Sequence, residues 1–490
     1  MSARPSPAES PADPGIDAIV TATRFVSHFT DHAADAIPVD LIDNDEWHDY
    51  VSSQAPSVRA WLELNPGPPS APTPIPDFEA ADGSVARFIA PVKNEGVPLW
   101  RAAAAFAALP KGHVYAVARA ADFSNSQLEL AWAFAAYSFT RYTEPEKPAP
   151  SPAVLVRGTA PESKERTDVD RAACATYMVR DMISTPAEDF GPASLEAAVS
   201  TLAAKHAARS SSIVGAQLLR LGYPQVHRVG RAAPAERAPR LLELLWNERA
   251  ERVLTLVGKG VCYDTGGLSI KPTSSMVTMQ KDMGGAAQVL GLADMIMDAG
   301  LNVRLRVLIP AVENNVAATS YRPGDVLTAR NGKTTLNMNS DAEGRLILAD
   351  ALVAATESDP DLIIDCATLT GAQRVAMGPD IPSIFCTDDE VAHQLFEISQ
   401  RVDDLVWRLP LHKPYRRMLE TPLADIKSCG TSGHGGAITA ALYLKEFVGE
   451  SNWIHVDMMG YNPTSSPGRP EGGEAMGMRA LFEFLRQRYS

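Results

Sequence analysis

From residue 252 onward the chain alternates short apolar runs with helical patterns, and this alternation constrains the fold more than any other feature. The runs at 252–257, 303–309, 362–365 and 453–457 are built on Val, Ile and Leu. Short continuous apolar runs of this kind read as strands buried on both faces. Between them, residues 284–297, 345–355, 390–401 and 436–447 carry helical patterns. Upstream, 171–184 and 192–207 also read as helices. Pro192 suits a first helical turn, where its missing N–H is not needed. Strands alternating with helices predict an α/β fold around a central mixed, mostly parallel sheet flanked by helices. In such sheets, sites form at the carboxyl ends of strands. Lys259 and Thr368 both follow strand candidates there.

At 490 residues the chain is long enough for two cores. Residues 1–15 are rich in Pro, Ala and Ser and read as a disordered tail, not a secretion signal. Residues 16–157 read as a smaller N-terminal α/β domain. Within it, 99–109 and 127–142 read as helices, 114–117 as a strand and the Pro-rich 66–76 as a loop. The Pro-punctuated 145–152 is the best linker candidate, with 152–156 as the last strand before it. Residues 168–490 read as a larger C-terminal α/β domain.

The formal charge of -14 argues against a broad nucleic-acid surface, which needs basic patches. The sequence holds no run of 18 apolar residues, so a membrane-spanning helix is not expected. Its five cysteines form no CxxC pair. They fit a reducing cytoplasm, with Cys262 turned into the core.

Two acidic segments carry the chemistry. One reads Asn339-Ser340-Asp341-Ala342-Glu343-Gly344-Arg345-Leu346. In an extended backbone, residues i, i+2 and i+4 point the same way, so Asp341, Glu343 and Arg345 are expected to share one face. Two adjacent acids repel, but beside divalent cations they make a site. The guanidinium could then hold a small anion. The other segment runs from Lys259 through Asp264 and the glycines Gly266 and Gly267 to Lys271, and on to Met279 and Asp282. Asp264 and Asp282 are too far apart to share one element, so only the fold can unite them.

Together these segments closely resemble the leucyl aminopeptidase (cytosol aminopeptidase) family, a likeness that extends from about Tyr177 to the C-terminus. The family's Asn-Thr-Asp-Ala-Glu-Gly-Arg-Leu motif recurs here with Ser340 in place of Thr, which keeps the hydroxyl. Tyr321-Arg322-Pro323-Gly324-Asp325 and Asp365-Cys366-Ala367-Thr368-Leu369-Thr370-Gly371 carry the likeness further.

The resemblance implies a dinuclear metallo-exopeptidase with two divalent ions, Zn or Mn, per subunit. Lys259, Asp264, Asp282 and Glu343 would hold the tighter ion; Asp264, Asp341 and Glu343 would hold the more exchangeable one. It further implies a hydroxide held by the two ions and Lys271 as electrophile. Arg345 would hold a bicarbonate that acts as general base. Met279 would line the side-chain pocket, while Thr368, Leu369 and Gly371 contact the substrate, with Asn339 nearby. The expected partners are peptides with a free N-terminus and five further copies of the chain in a cytoplasmic hexamer. The tail departs from the family at Asp457-Met458-Met459-Gly460-Tyr461-Asn462 and in the Pro/Gly-rich stretch 463–473, so "leucyl" is a family label and not a specificity.

Other readings are weaker. An isolated Asp-x-Glu is ordinarily a solvated surface pair, and Met279 or Leu369 alone would more often be core. Asp264-Thr265-Gly266 mimics the aspartic-protease triplet, but that chemistry needs two such aspartates and the sequence offers no second triplet. The ten histidines show no metal-ligand spacing, and His434 reads as a loop residue. Two rival functions stay open: a non-catalytic DNA-binding or regulatory family member, and a dinuclear metal phosphoesterase.

Overall fold

The computed structural model describes residues 15–64, 67–80, 82–143 and 151–490. Residues 1–14 of the proposed tail and 145–150 of the proposed linker lie outside them.

The N-terminal part is built on a six-stranded sheet. Its order is Phe29–Thr30, Val154–Val156, Val114–Arg119, Ile37–Asp43, Val85–Val92, Thr73–Pro76. Every neighbouring pair is parallel except the last, where Thr73–Pro76 runs antiparallel to Val85–Val92. The stretch expected to be a loop at 66–76 therefore ends in a strand. Its two prolines are tolerated because this strand lies at the sheet edge, where a missing N–H costs no ladder bond. Helices Pro98–Ala107 and Asn125–Ala136 pack on this sheet and on each other. Ser124 opens the second with a reciprocal capping box with Gln127.

The C-terminal part is built on a nine-stranded mixed sheet. Its centre is parallel: Trp453–Asp457, Leu362–Ala367, Val253–Gly258 and Arg304–Asn314 lie side by side. Both inner strands are buried along their whole length, as expected of a parallel sheet covered by helices on both faces. Arg240–Trp246 and Arg209–Val214 add an antiparallel flank beyond Arg304–Asn314. Gly260–Asp264 pairs in parallel with that strand's far end. On the other flank, Ser383–Cys386 runs antiparallel to Trp453–Asp457. Helices Gly284–Asp298 and Glu343–Thr356 are buried almost throughout and contact the central strands. No helix among the described residues is long and apolar enough to cross a membrane.

Candidate active site

The site forms where the parallel strands end. Val253–Gly258 delivers Lys259, whose backbone is stitched between neighbours. Its N–H donates to Cys366 O at 3.0 Å, and its C=O accepts from Ala286 N at 2.9 Å. The approach is so close that only glycine fits beside it. A Cβ on Gly285 would lie 2.0 Å from Cys366 O, and one on Gly344 would lie 2.4 Å from Lys259 Cε. The two acidic segments are thus packed through their glycines.

Lys259 is buried at 3% exposure. Its Nζ lies 2.7 Å from Asp282 Oδ2 and 3.0 Å from Glu343 Oε1, and donates to Thr368 O at 3.2 Å. Burial works against its charge, but Asp282, Glu343 and Asp264 outweigh burial and hold its pKa above the ordinary lysine value. Lys271 behaves alike. Its Nζ lies 2.8 Å from Asp264 Oδ2 and also contacts Asp341. These acids and Glu343 raise its pKa against the cost of burial.

Asp264 is fixed from a second side. Its Oδ1 accepts from Gly266 N and Asn314 Nδ2, both at 2.8 Å. Burial disfavours its charge, yet Lys271 and Lys259 hold its pKa below the usual value. Glu343 has the opposite balance: burial and repulsion from Asp264 raise its pKa. Asp341, part-exposed, is raised by the same two causes.

Ligand oxygens of Asp264, Asp341 and Glu343 all lie within 4.8 Å of one another. Buried Glu343 Oε2 has no hydrogen-bond partner. Asp282 Oδ2 and Asp341 Oδ1 sit in ion-pair contact with lysines but make no well-directed hydrogen bond. Three converging carboxylates, two of them (Asp341 and Glu343) with raised proton affinity and a buried oxygen free of hydrogen bonds, fit divalent cations, which take oxygen donors and relieve the repulsion. Asp282 adds a fourth carboxylate beside Lys259. Lys259 would join as a ligand only by giving up its proton.

The structure brings the five expected ligands and Lys271 together, but not through an extended strand. Ser340–Ala342 is a 3-10 turn and Glu343–Thr356 an α-helix that follows it directly. Asp341 and Glu343 converge because the turn tightens the chain just before the helix. Asn339 caps that turn by accepting from Asp341 N at 2.9 Å. Arg345 lies in the helix. It is 7% exposed, donates from Nη1 to Ser428 O at 2.6 Å and leaves its buried Nε without a partner.

Thr368 donates its hydroxyl to Asp282 Oδ1 at 2.8 Å. Leu369 N donates to Asp457 Oδ1 at 3.0 Å, and Gly371, exposed, opens the next helix. Met279 is buried in the 3-10 turn that carries Asp282. Cys262 is fully buried, as expected, and His434 lies in an exposed loop.

Sequence reasoning missed Asn314, whose Nδ2 also donates to Ser340 O at 3.0 Å and so ties the two acidic segments together. It also missed Asp457 and Lys281. Lys281, 3% exposed, precedes Asp282; its pKa is pushed down to about 8 by burial and, against the pull of Asp282, by Arg374, Lys259 and Lys271.

Sequence profiles agree with this architecture. The profile described as "Cytosol aminopeptidase family, catalytic domain" matches residues 177–482, and "M17 aminopeptidase, N-terminal domain" matches 37–154. Peptidase B of Vibrio parahaemolyticus is 35% identical over 372 residues, 74% of this chain and 84% of that protein. The crystal structure of the cytosol aminopeptidase from Coxiella burnetii superposes with a TM-score of 0.87. It shares 39% identity over 95% of this chain and all (100%) of that one. The bottromycin maturation enzyme BotP in complex with Mn is 29% identical with a TM-score of 0.81, covering 93% of this chain and 100% of that chain. A peptide hydrolase in its fold and in both matched domains, the chain belongs to the leucyl, or cytosol, aminopeptidase family.

Proposed function

We propose that this chain is a metalloaminopeptidase that releases the N-terminal residue of short peptides. The observation that carries the reading is the buried, unpartnered Glu343 Oε2 within a knot of three carboxylates whose oxygens lie within 4.8 Å. Such an arrangement is unfavourable without cations to neutralise it. Lys259, Asp264, Asp282 and Glu343 would hold one ion; Asp264, Asp341 and Glu343 would hold the other. Hard oxygen donors with one amine accept Zn or Mn. Ions bound there would supply a nucleophile at neutral pH and polarise the scissile carbonyl.

The protein's own groups then divide the work. Lys271, held protonated by Asp264 and Asp341, is the fixed cation that stabilises developing negative charge on the carbonyl oxygen. Arg345, anchored by Ser428 O and with Nε unspent, offers a planar donor edge that suits a bicarbonate acting as general base. Thr368 and Asp457 hold the Leu369–Thr370 backbone in place through Asp282 and the strand end. Substrate would lie along this loop, with its side chain toward Met279 and Gly371 and Asn339 nearby. The same reading makes the enzyme cytoplasmic and a homo-hexamer.

The test is release of the N-terminal residue from X-Gly dipeptides and X-anilides by chelated, Zn-loaded and Mn-loaded enzyme. Metal-dependent cleavage is expected. It should be lost in an Asp341→Ala, Glu343→Ala double variant and absent for N-acetylated peptides. A folded, metal-loaded wild type that cleaves none of them sinks the reading. Hydrolysis of a phosphate ester, or salt-dependent DNA binding, would then point to the two rival functions.

A further inference from the structure

Asp264 and Asp341 come from separate segments, and a single amide ties the two together. Asn314 ends strand Arg304–Asn314, is fully buried and is the register partner of Asp264. Its Nδ2 donates to Asp264 Oδ1 at 2.8 Å and to Ser340 O, the carbonyl just before Asp341, at 3.0 Å. Both neighbours are acceptors, so the amide can face them only with its nitrogen. Its Oδ1 is buried and has no hydrogen-bond partner among the described residues. The main chain fixes the amide from behind: Asn314 O accepts from Thr265 N at 3.2 Å and from Thr265 Oγ1 at 2.7 Å. Around Ser340 the two segments are laced together. Tyr321, 1% exposed, donates its hydroxyl to Ser340 O at 2.6 Å. Ser340 Oγ donates to Gly266 O and accepts from Ser269 N, both at 2.7 Å.

A buried amide oxygen left unpaired is unfavourable, so stability alone does not account for an asparagine here. Nor would its two acceptors be stranded without it. Asp264 Oδ1 also accepts from Gly266 N, and Ser340 O from Tyr321. What the amide adds is geometry. With Oδ1 taken by two donors, Asp264 has Oδ2 to offer. That oxygen lies 2.8 Å from Lys271 Nζ, which also meets Asp341, so it faces the other carboxylates. The same amide sets where the Asp341 turn stands. We propose that Asn314, backed by Tyr321, is a positioning residue for the ion that Asp264, Asp341 and Glu343 would hold. It fixes which oxygen Asp264 presents and how far Asp341 stands from it. This rests on the metal-binding part of the metalloaminopeptidase reading and names a residue that serves it. Removing a group that orients a metal ligand through a hydrogen bond typically lowers metal affinity by about 10- to 100-fold.

The test titrates the chelator-stripped full chain with Mn²⁺ by calorimetry and follows Leu-anilide cleavage in parallel. Asn314→Leu keeps a branched side chain and removes the donor. It should lower the affinity of the weaker of two Mn²⁺ sites by about 10- to 100-fold. Excess Mn²⁺ should then recover most of the activity, a rescue that damage to folding cannot give. Tyr321→Phe removes one donor to Ser340 O and keeps the ring. It should weaken the same site by a smaller factor, and it carries the test should Asn314→Leu fail to fold. Asn315→Ala, next in the chain with a side chain that bonds Glu313, should bind Mn²⁺ as the wild type does. Folded variants of Asn314 and Tyr321 with wild-type affinity overturn the positioning role and leave the aminopeptidase reading standing. A weakening that Asn315→Ala reproduces does the same. A wild type that binds two Mn²⁺ yet cleaves nothing overturns the aminopeptidase reading, and the affinities still decide the role of Asn314. A wild type that binds no Mn²⁺ overturns both.

Discussion

Lys259 and Lys281 are equally buried, each 3% exposed, and both neighbour Asp282, yet their surroundings are opposite. Lys259 meets Asp282 at 2.7 Å and Glu343 at 3.0 Å. Burial opposes its charge and loses to those acids. At Lys281 burial wins over Asp282, with Arg374 adding to it. Burial alone therefore does not say what a buried lysine is for. One is a counter-ion inside a carboxylate knot; at the other, burial outweighs the nearest acid. On the proposed reading the carboxylates form a metal side and the Leu369–Thr370 loop a substrate side, and that division can be tested from either.

The largest effect is expected on the metal side. Glu343→Ala removes the carboxylate that meets Lys259 and converges with Asp264 and Asp341. It should lower kcat/KM for Leu-anilide by on the order of 10³-fold or more. Bound metal, measured by elemental analysis, should fall with it. Loss of activity at full metal content would break the assignment of Glu343 as a ligand.

The sharpest contrast is in stability. Lys259→Met leaves Asp282 and Glu343 without their cation in the chelated protein. Breaking a buried pair in this way costs roughly 3–5 kcal/mol. Lys281→Met removes a charge that no hydrogen bond or ion pair reaches among the described residues, so it should leave the unfolding midpoint unchanged or raise it. The sign follows from linkage. A lysine whose pKa is lowered by folding binds fewer protons in the fold than in the unfolded chain. It therefore costs stability below about pH 8, and the cost fades as pH rises toward the ordinary lysine value. Denaturant unfolding of both variants at several pH values checks this. Equal destabilisation by the two substitutions would erase the comparison.

On the metal side, protons compete with cations for Glu343 and Asp341, whose pKa values burial and Asp264 raise. Mn²⁺ affinity should therefore weaken on acidification from about pH 8 to about pH 5.5, well above the range in which ordinary carboxylates titrate. Calorimetric titration across that range should show the loss. A flat profile would mean that these two acids do not bind the ion.

The smallest effect belongs to the substrate side. Asp457 holds Leu369 N at 3.0 Å, Thr370 N at 3.1 Å and the Thr370 hydroxyl at 2.6 Å. Asp457→Asn should loosen that loop and cost about tenfold in kcat/KM, with metal content unchanged.

Much of the metal side was legible in the sequence because its residues sit in two short, densely patterned segments. Its geometry was not. The expected extended face for Asp341, Glu343 and Arg345 fails because Asn339 caps a 3-10 turn that runs straight into a helix. The central parallel strands were legible as apolar runs. Arg240–Trp246 was not, since its Leu and Glu residues suit a helix equally well, and only pairing with Arg304–Asn314 makes it a strand. Arg209–Val214 opens with three serines between Arg209 and Ile213 and carries little apolar signal. On the substrate side, Asp457 and the Leu369–Thr370 loop lie far apart in sequence, and nothing in the local pattern of either marks the other. Their proximity is a product of the fold alone.

The most direct measurement titrates the chelator-stripped chain with Mn²⁺ while following bound metal and Leu-anilide cleavage together. Activity should saturate when two ions are bound per chain. The Asp341→Ala, Glu343→Ala variant should bind at most one and stay inactive. Full activity without metal, or a variant that binds and cleaves like the wild type, would contradict the account.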